Sequence, residues 1–226
     1  MNNNDSRISI QVSLSGYSFT TEDSSGIHRS GWLGAERVFT TEEFQRRYDS
    51  VKISLMTPKV ALVPEHFFSP QEAAQALADV VRLREDDKVD YIRIPEKGTV
   101  LLYSNSLGET LSRAISQSVL TSDGYQARIL PEMYYILDSL ETCRDYNRIV
   151  ASYADSHLHL AIAQGRSLLL ANVFSAPDFT TAEYHIFNAM KKLQLNPEMS
   201  TICFRTPISG EEEISLYRYF KSVEII

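Results

Sequence analysis

Residues 149–174 read IVASYADSHLHLAIAQGRSLLLANVF, and the fold turns on how this stretch is parsed. Apolar runs at Ile149–Tyr153, His157–Ala163 and Ser167–Phe174 are separated by two short polar breaks, Ala154-Asp155-Ser156 and Gln164-Gly165-Arg166. Runs of that length bounded by turn residues predict three strands joined as a meander. Working outward, Ile186, Phe187, Met190 and Leu193 recur with helical period over 181–193. Thr201–Phe204 reads as a strand, Ile214, Tyr217 and Phe220 mark a second helix near 210–220, and Val223–Ile226 reads as a last strand. The order is meander, helix, strand, helix, strand.

The first half opens in a similar way. Ile8, Ile10, Val12 and Leu14 alternate with polar residues, Ser15-Gly16 interrupts, and Tyr17 and Phe19 resume, which predicts a hairpin over 8–23. Val51–Leu55 and Val60–Val63 are apolar and β-branched, and Val89–Ile94 with Thr99–Tyr103 form a second hairpin around Pro95–Gly98. A helix is expected after Pro131, running through Tyr135 and Leu140. Helix starts are signalled where Ser or Thr precedes Glu by three residues: Thr40/Glu43, Ser69/Glu72, Ser106/Glu109, Thr180/Glu183 and Ser209/Glu212. In such a capping box the hydroxyl accepts from a helical N–H while the carboxylate reaches back to the cap. Ser69 is also followed by Pro70, suited to a first helical position, and by Ala73, Ala74, Leu77, Val80 and Val81 at helical spacing. Ser24–Gly34, with glycines at 26, 31 and 34, reads as a loop whose Trp32 covers core in preference to anchoring a partner.

This order predicts an α/β protein with mixed sheets. Meander, helix, strand, helix, strand is the order of the ribonuclease H-like unit, and two such units in tandem make the actin-like ATPase fold. The expected lobes are residues 1–146 and 147–226, related by duplication, with the break in the polar stretch Arg144-Asp145-Tyr146-Asn147. Residues 8–140 and 149–226 should then share one hairpin-led core.

At Leu168–Phe174, the helix from Thr181 to Leu193, and Leu195-Asn196-Pro197-Glu198, the sequence resembles the C-terminal signature of DUF3822. That is a bacterial family of unknown function, seen chiefly in Bacteroidetes. The matching elements are a strand ending Asn172-Val173-Phe174, aromatics Tyr184 and Phe187 early in the helix, and the Leu-Asn-Pro-Glu turn. Leu14–Phe19 and Leu62–Phe68 also resemble family segments. The resemblance implies an actin-like ATPase fold without an assigned activity.

Composition narrows the function. The 226 residues carry 22 Lys+Arg against 29 Asp+Glu, a net charge of −7, with 43% hydrophobic and 23% charged residues. That is a folded, acidic protein without the basic surplus of a nucleic-acid binder. Met1–Asp5 lacks the basic-then-apolar design of a signal peptide, and no apolar run approaches the ~20 residues of a membrane span, so a cytoplasmic protein is expected. Cys143 and Cys203 fall in different expected lobes and read as packing residues, with no bond between them. His157 and His159 share a strand face within reach of one metal, but no third ligand accompanies them, and they read as histidines on a polar face.

An actin-like ATPase needs acids in two hairpin turns to hold magnesium, small residues beside the phosphates, and a glycine pair near the adenosine. The corresponding candidates are Ser15 and Gly16 in the first turn, Asp155 and Ser156 in the second, and Gly210 in Pro207-Ile208-Ser209-Gly210. No Asp or Glu lies between Ile8 and Thr21, and the second turn has no glycine. A first strand without carboxylates also excludes the metal cluster of a ribonuclease H-type nuclease. The expected protein is a non-catalytic, actin-like binding or scaffold module whose partner is another protein, with no cofactor, no metal, no nucleic acid and no membrane insertion. The alternative is a nucleotide-binding ATPase or phosphotransferase that uses ATP and magnesium at those five residues.

Overall fold

The computed structural model describes residues 6–105 and 109–226. Along the chain run β1 (Arg7–Val12), β2 (Gly16–Asp23), β3 (Gly26–Arg29), β4 (Leu33–Gly34), β5 (Ser50–Leu55), β6 (Val60–Pro64) and α1 (Ala73–Ala78). Then follow β7 (Val89–Ile94), β8 (Thr99–Ser104), α2 (Glu109–Ser118), β9 (Ile129–Pro131), α3 (Glu132–Thr142) and β10 (Asn147–Ala154). The chain continues with β11 (His157–Gln164), β12 (Ser167–Ser175), α4 (Phe179–Lys192), β13 (Thr201–Phe204), α5 (Gly210–Tyr217) and β14 (Ser222–Ile225). The described residues pack as two compact units, one within Met1–Met56 and Leu107–Glu132, the other within Thr57–Ser106 and Met133–Ile226.

In the first unit the strand order is β3-β2-β1-β5-β9, with β4 attached to β2. β1 pairs antiparallel with β2 and parallel with β5, and β5 runs parallel to β9. The alternation of Ile8, Ile10 and Val12 turns those side chains into one core with Tyr17, Phe19, Phe44, Ile53 and Ile115. In the second unit the five-stranded order is β12-β11-β10-β13-β14, with β10 antiparallel to β11 and parallel to β13. The two five-strand paths therefore have the same order and the same sense at each step. A separate antiparallel sheet, β6-β8-β7, carries α1, whose Leu77 is buried in one cluster with Val100 and Leu102 of β8.

The helical layer on the second unit's sheet is α4 and α5. Ile186, Met190 and Leu216 meet Leu158, Leu160, Ile202 and Phe204 in one buried cluster. β11 is buried on both faces, which explains its nearly unbroken apolar run. This overturns the reading of a polar strand face for the two histidines: His159 has no solvent exposure, and its Nε2 lies 2.9 Å from the Thr57 carbonyl.

Among the described helix starts, one of the expected capping boxes forms. Ser209 Oγ accepts from Glu212 N at 3.3 Å, and Ser209 N donates to Glu212 Oε2 at 2.6 Å. At α4 the cap is Asp178 in place of Thr180; its carboxylate accepts from Thr181 N at 2.7 Å. Thr40 and Ser69 precede short 3-10 turns, Glu42–Gln45 and Pro70–Glu72, and neither accepts a helical N–H. Ser106 lies outside the described residues.

Candidate functional site at the strand ends

In each parallel pair the carboxyl ends of both strands lie together, Val12 beside Leu55 and Ala151 beside Phe204. Such ends are where open α/β sheets ordinarily receive ligands. The first candidate turn, residues 13–16, links β1 to β2 at this end and is closed by Ser13 N donating to Gly16 O at 2.9 Å. Its glycine serves a local purpose. Gly16 pairs with Gly34 across β2 and β4, and a β-carbon at Gly16 would overlap the Leu33 carbonyl oxygen and lie 3.0 Å from the Leu33 carbonyl carbon. The space a side chain would take at Gly16 is occupied by the chain's own backbone. Ser15 Oγ accepts from the Trp32 indole N–H at 3.2 Å. The Ser24–Gly34 segment expected to be a loop thus carries strands β3 and β4, with Trp32, just before β4, hydrogen-bonded back to the turn.

The second candidate turn, Asp155-Ser156, joins β10 and β11. Both residues are left-handed, with φ of 48° and 58°. Two such residues make the tight hairpin turn that usually takes Asn-Gly. The Ser156 carbonyl accepts from Ala176 N at 2.8 Å, and the Asp155 carbonyl lies 2.6 Å from His157 Nδ1. At the same end of the sheet the buried Thr206 hydroxyl accepts from Tyr153 N at 2.8 Å. Tyr153 packs edge-on against Phe179 with ring centroids 5.5 Å apart. Burial, with the nearby Asp178 and Glu212 carboxylates, raises the Tyr153 phenol above its ordinary value.

Gly210 opens α5, and a β-carbon there would meet nothing within 4 Å. Two N–H groups at this helix end, those of Ser209 and Glu212, are served by the chain itself through the capping box, with Glu211 and Glu213 in the same turn. A helix N-terminus favours anions through its dipole, and here that preference is met by three fixed carboxylates.

The five expected site residues thus fall in both units: Ser15 and Gly16 in the β1–β2 turn of the first, Asp155 and Ser156 in the β10–β11 turn and Gly210 at the start of α5 in the second. A cavity of about 990 Å³ lies elsewhere in the second unit and contains none of the five. Leu62 and Leu137 contribute apolar wall, while Lys97 is paired with Glu141, whose other oxygen is 3.4 Å from Arg148 Nη1. The Lys97 hydrogen bond holds the Glu141 carboxyl below its usual range. Its charged groups neutralise one another, and the lining has no nucleophile beside a base.

The cysteines correct the sequence reading most sharply. Both belong to the second unit, and their sulfurs are 3.9 Å apart. Cys203 alternates with Ile202 and Phe204, so it faces the side of the sheet away from α4 and α5. There α3 covers it: Arg205 Nη1 donates to Ser139 Oγ at 3.0 Å, and the guanidinium lies over the Tyr135 ring. Cys143 directly follows that helix. The signal available in sequence was strand order, which puts β13 beside β10 and so under the helix preceding β10.

Among the described residues no group of three or more His, Cys, Asp or Glu is placed to hold a metal ion, and no helix is long and apolar enough to cross a membrane. No curated protein matches the chain. Its structure is similar to that of a Bacteroides thetaiotaomicron protein described as having an actin-like ATPase fold and unknown function. The two share 17% identity over 99% of this chain and 91% of that one, with a TM-score of 0.66. It is also similar to a chain of a PilM-PilN type IV pilus biogenesis complex, at 12% identity, 97% and 88% coverage and a TM-score of 0.50. These likenesses, with the repeated strand order, establish the actin-like ATPase fold. The profile of DUF3822, described as a protein of unknown function, matches residues 34–223, and the chain belongs to that family.

Proposed function

We propose that this protein is a non-catalytic member of the actin-like fold, a binding or scaffold module for another protein, resident in the cytoplasm. The observation that carries the reading is the closure of the candidate turns by the chain itself: the Leu33 carbonyl over Gly16 and the Glu212 carboxylate on Ser209 N–H. A chain of the same fold occurs in a PilM-PilN complex, which supports assembly as a use of the fold without specifying a partner here. The shared strand order of the two five-strand paths supports an origin by duplication, with lobes 1–146 and 147–226. Thermal melting with and without a few millimolar Mg-ATP, alongside phosphate release, tests the absence of nucleotide chemistry. The expected result is no shift and no release. An ATP-dependent rise in Tm that Asp155→Ala abolishes would overturn it. Affinity capture from the source cells should return a protein in stoichiometric amount, and recovery of the chain alone would count against the scaffold reading.

A further inference from the structure

Cys143 lies at the end of α3, half-buried, while Cys203 is held in the middle of β13 with 4% of its surface exposed. Sixty positions separate them in sequence, yet their sulfurs are 3.9 Å apart. Cys143 Sγ also lies 3.4 Å from the Ser139 carbonyl. Both thiols line a cavity of about 330 Å³ whose wall includes Asp145, Asn147, Thr201 and Glu224. We propose that Cys143 and Cys203 are a reversible dithiol–disulfide pair, oxidised by exchange with a low-molecular-weight disulfide of the glutathione class that enters through this cavity.

The geometry assigns different roles to the two sulfurs. Cys143 is the more accessible of the two and lies outside regular structure, just after α3. The contact between the two sulfurs lowers the pKa of Cys143 and raises that of Cys203, where burial adds to the rise. Arg148 favours the Cys143 thiolate, while burial and the Glu224 and Asp145 carboxylates oppose it. Cys143, having lost its proton to solvent, attacks one sulfur of the reagent. The reagent's S–S bond breaks, and one thiolate leaves and takes a proton from water. Cys203 then gives its proton to solvent and attacks Cys143 Sγ, forming the protein S–S bond and expelling the second reagent thiolate. Two protein thiols are oxidised by two electrons, and one reagent disulfide becomes two thiols. Closing the sulfurs to bonding distance takes roughly 2 Å of travel, within reach of a χ1 rotation at Cys143.

The test uses the full chain with oxidised glutathione, an alkylating quench and non-reducing peptide mass mapping. A linked Cys143–Cys203 peptide is expected, returning to two free thiols with dithiothreitol. Cys203→Ser should accumulate the glutathione adduct at Cys143, and Cys143→Ser should react at least ten-fold more slowly. Circular dichroism checks that each variant is folded, and the wild-type map decides the matter if one is not. A persistent adduct on the native chain without a link would overturn the proposal, as would first reaction at Cys203. So would thiols that react only after denaturation.

Discussion

Gly16→Ala separates a structural glycine from a phosphate-binding one. The added methyl would lie 3.0 Å from the Leu33 carbonyl carbon and 3.2 Å from the Gly34 α-carbon, and would overlap the Leu33 oxygen. Ordinary carbon contacts are about 3.5–4.0 Å, so the 32–34 segment must retreat from β2. Retreat breaks the Gly16–Gly34 and Tyr17–Leu33 pairing and the Trp32–Ser15 hydrogen bond. It also uncovers Tyr17, which has no exposure in the intact fold. Overpacking costs about 1–3 kcal/mol and each lost hydrogen bond roughly 1 kcal/mol, so a loss of about 3 kcal/mol is expected. For a chain of 226 residues unfolding as one unit, this lowers Tm by roughly 6–12 °C. Gly210→Ala is the internal control, because its β-carbon would have no neighbour within 4 Å; its change should stay within about 0.5 kcal/mol. Melting followed by circular dichroism, with and without Mg-ATP, reads both variants. An unchanged Tm for Gly16→Ala would refute the steric argument, and a lost ATP-dependent shift would return Gly16 to the phosphate reading.

Glu212→Ala removes half of the α5 capping box and should cost about 1 kcal/mol, seen as a lower urea midpoint at unchanged slope. Asp87, with 5% of its side chain exposed, accepts from Arg84 N at 2.6 Å and Ser104 Oγ at 2.8 Å and is paired with Lys59. Burial pushes its carboxyl up, but these partners together hold it below the ordinary carboxylate value. The folded pKa lies under the unfolded one, so its contribution is present above about pH 4 and is lost as pH falls through the folded value. Asp87→Asn should therefore destabilise by about 2 kcal/mol at neutral pH and flatten the acid limb of the stability profile. Urea titrations between pH 7 and pH 2.5 check this, and an acid limb identical to wild type would contradict it.

The strands were legible wherever a period of two or an unbroken apolar run met turn residues, as at Ile8–Val12 and along β10 to β12. What local patterning misread has physical causes. Ser/Thr-x-x-Glu states that a capping bond is available, but packing decides where a helix begins. At α4 the extended Asp178, two residues earlier than Thr180, takes the exposed N–H because Ala182 and Ile186 must face the core. β9 is three residues long and ends in Pro131, which cannot donate to a ladder, so its pairing with β5 leaves little trace in composition. β4 is two residues long and exists because Gly16 lets the Leu33 backbone approach. Neither it nor the cysteine pair is visible until strand order is known.

That dependence bears directly on the proposed loss of nucleotide chemistry. The shortage of acids and glycines was readable in the linear sequence, but a shortage alone leaves open space that water or an unusual ligand could fill. The structure adds occupancy. At the first turn the space beside the glycine holds a peptide carbonyl, that of Leu33. At α5 the Ser209 N–H already serves the Glu212 carboxylate and the Glu212 N–H serves Ser209 Oγ, with Glu211 and Glu213 alongside. Bringing one further negative charge to about 4 Å of a carboxylate costs on the order of 4 kcal/mol at the effective dielectric of a protein surface. A triphosphate approaching that end would meet the penalty more than once, with only the lone Asp155 turn to hold its magnesium. Restoring an acid to the first turn would leave the Leu33 carbonyl against Gly16 where it is. On this reading a single gain-of-acid substitution such as Ser15→Asp does not recover nucleotide binding, and a melting rise with Mg-ATP in that variant alone would show that missing acid, and not self-closure, keeps the site silent.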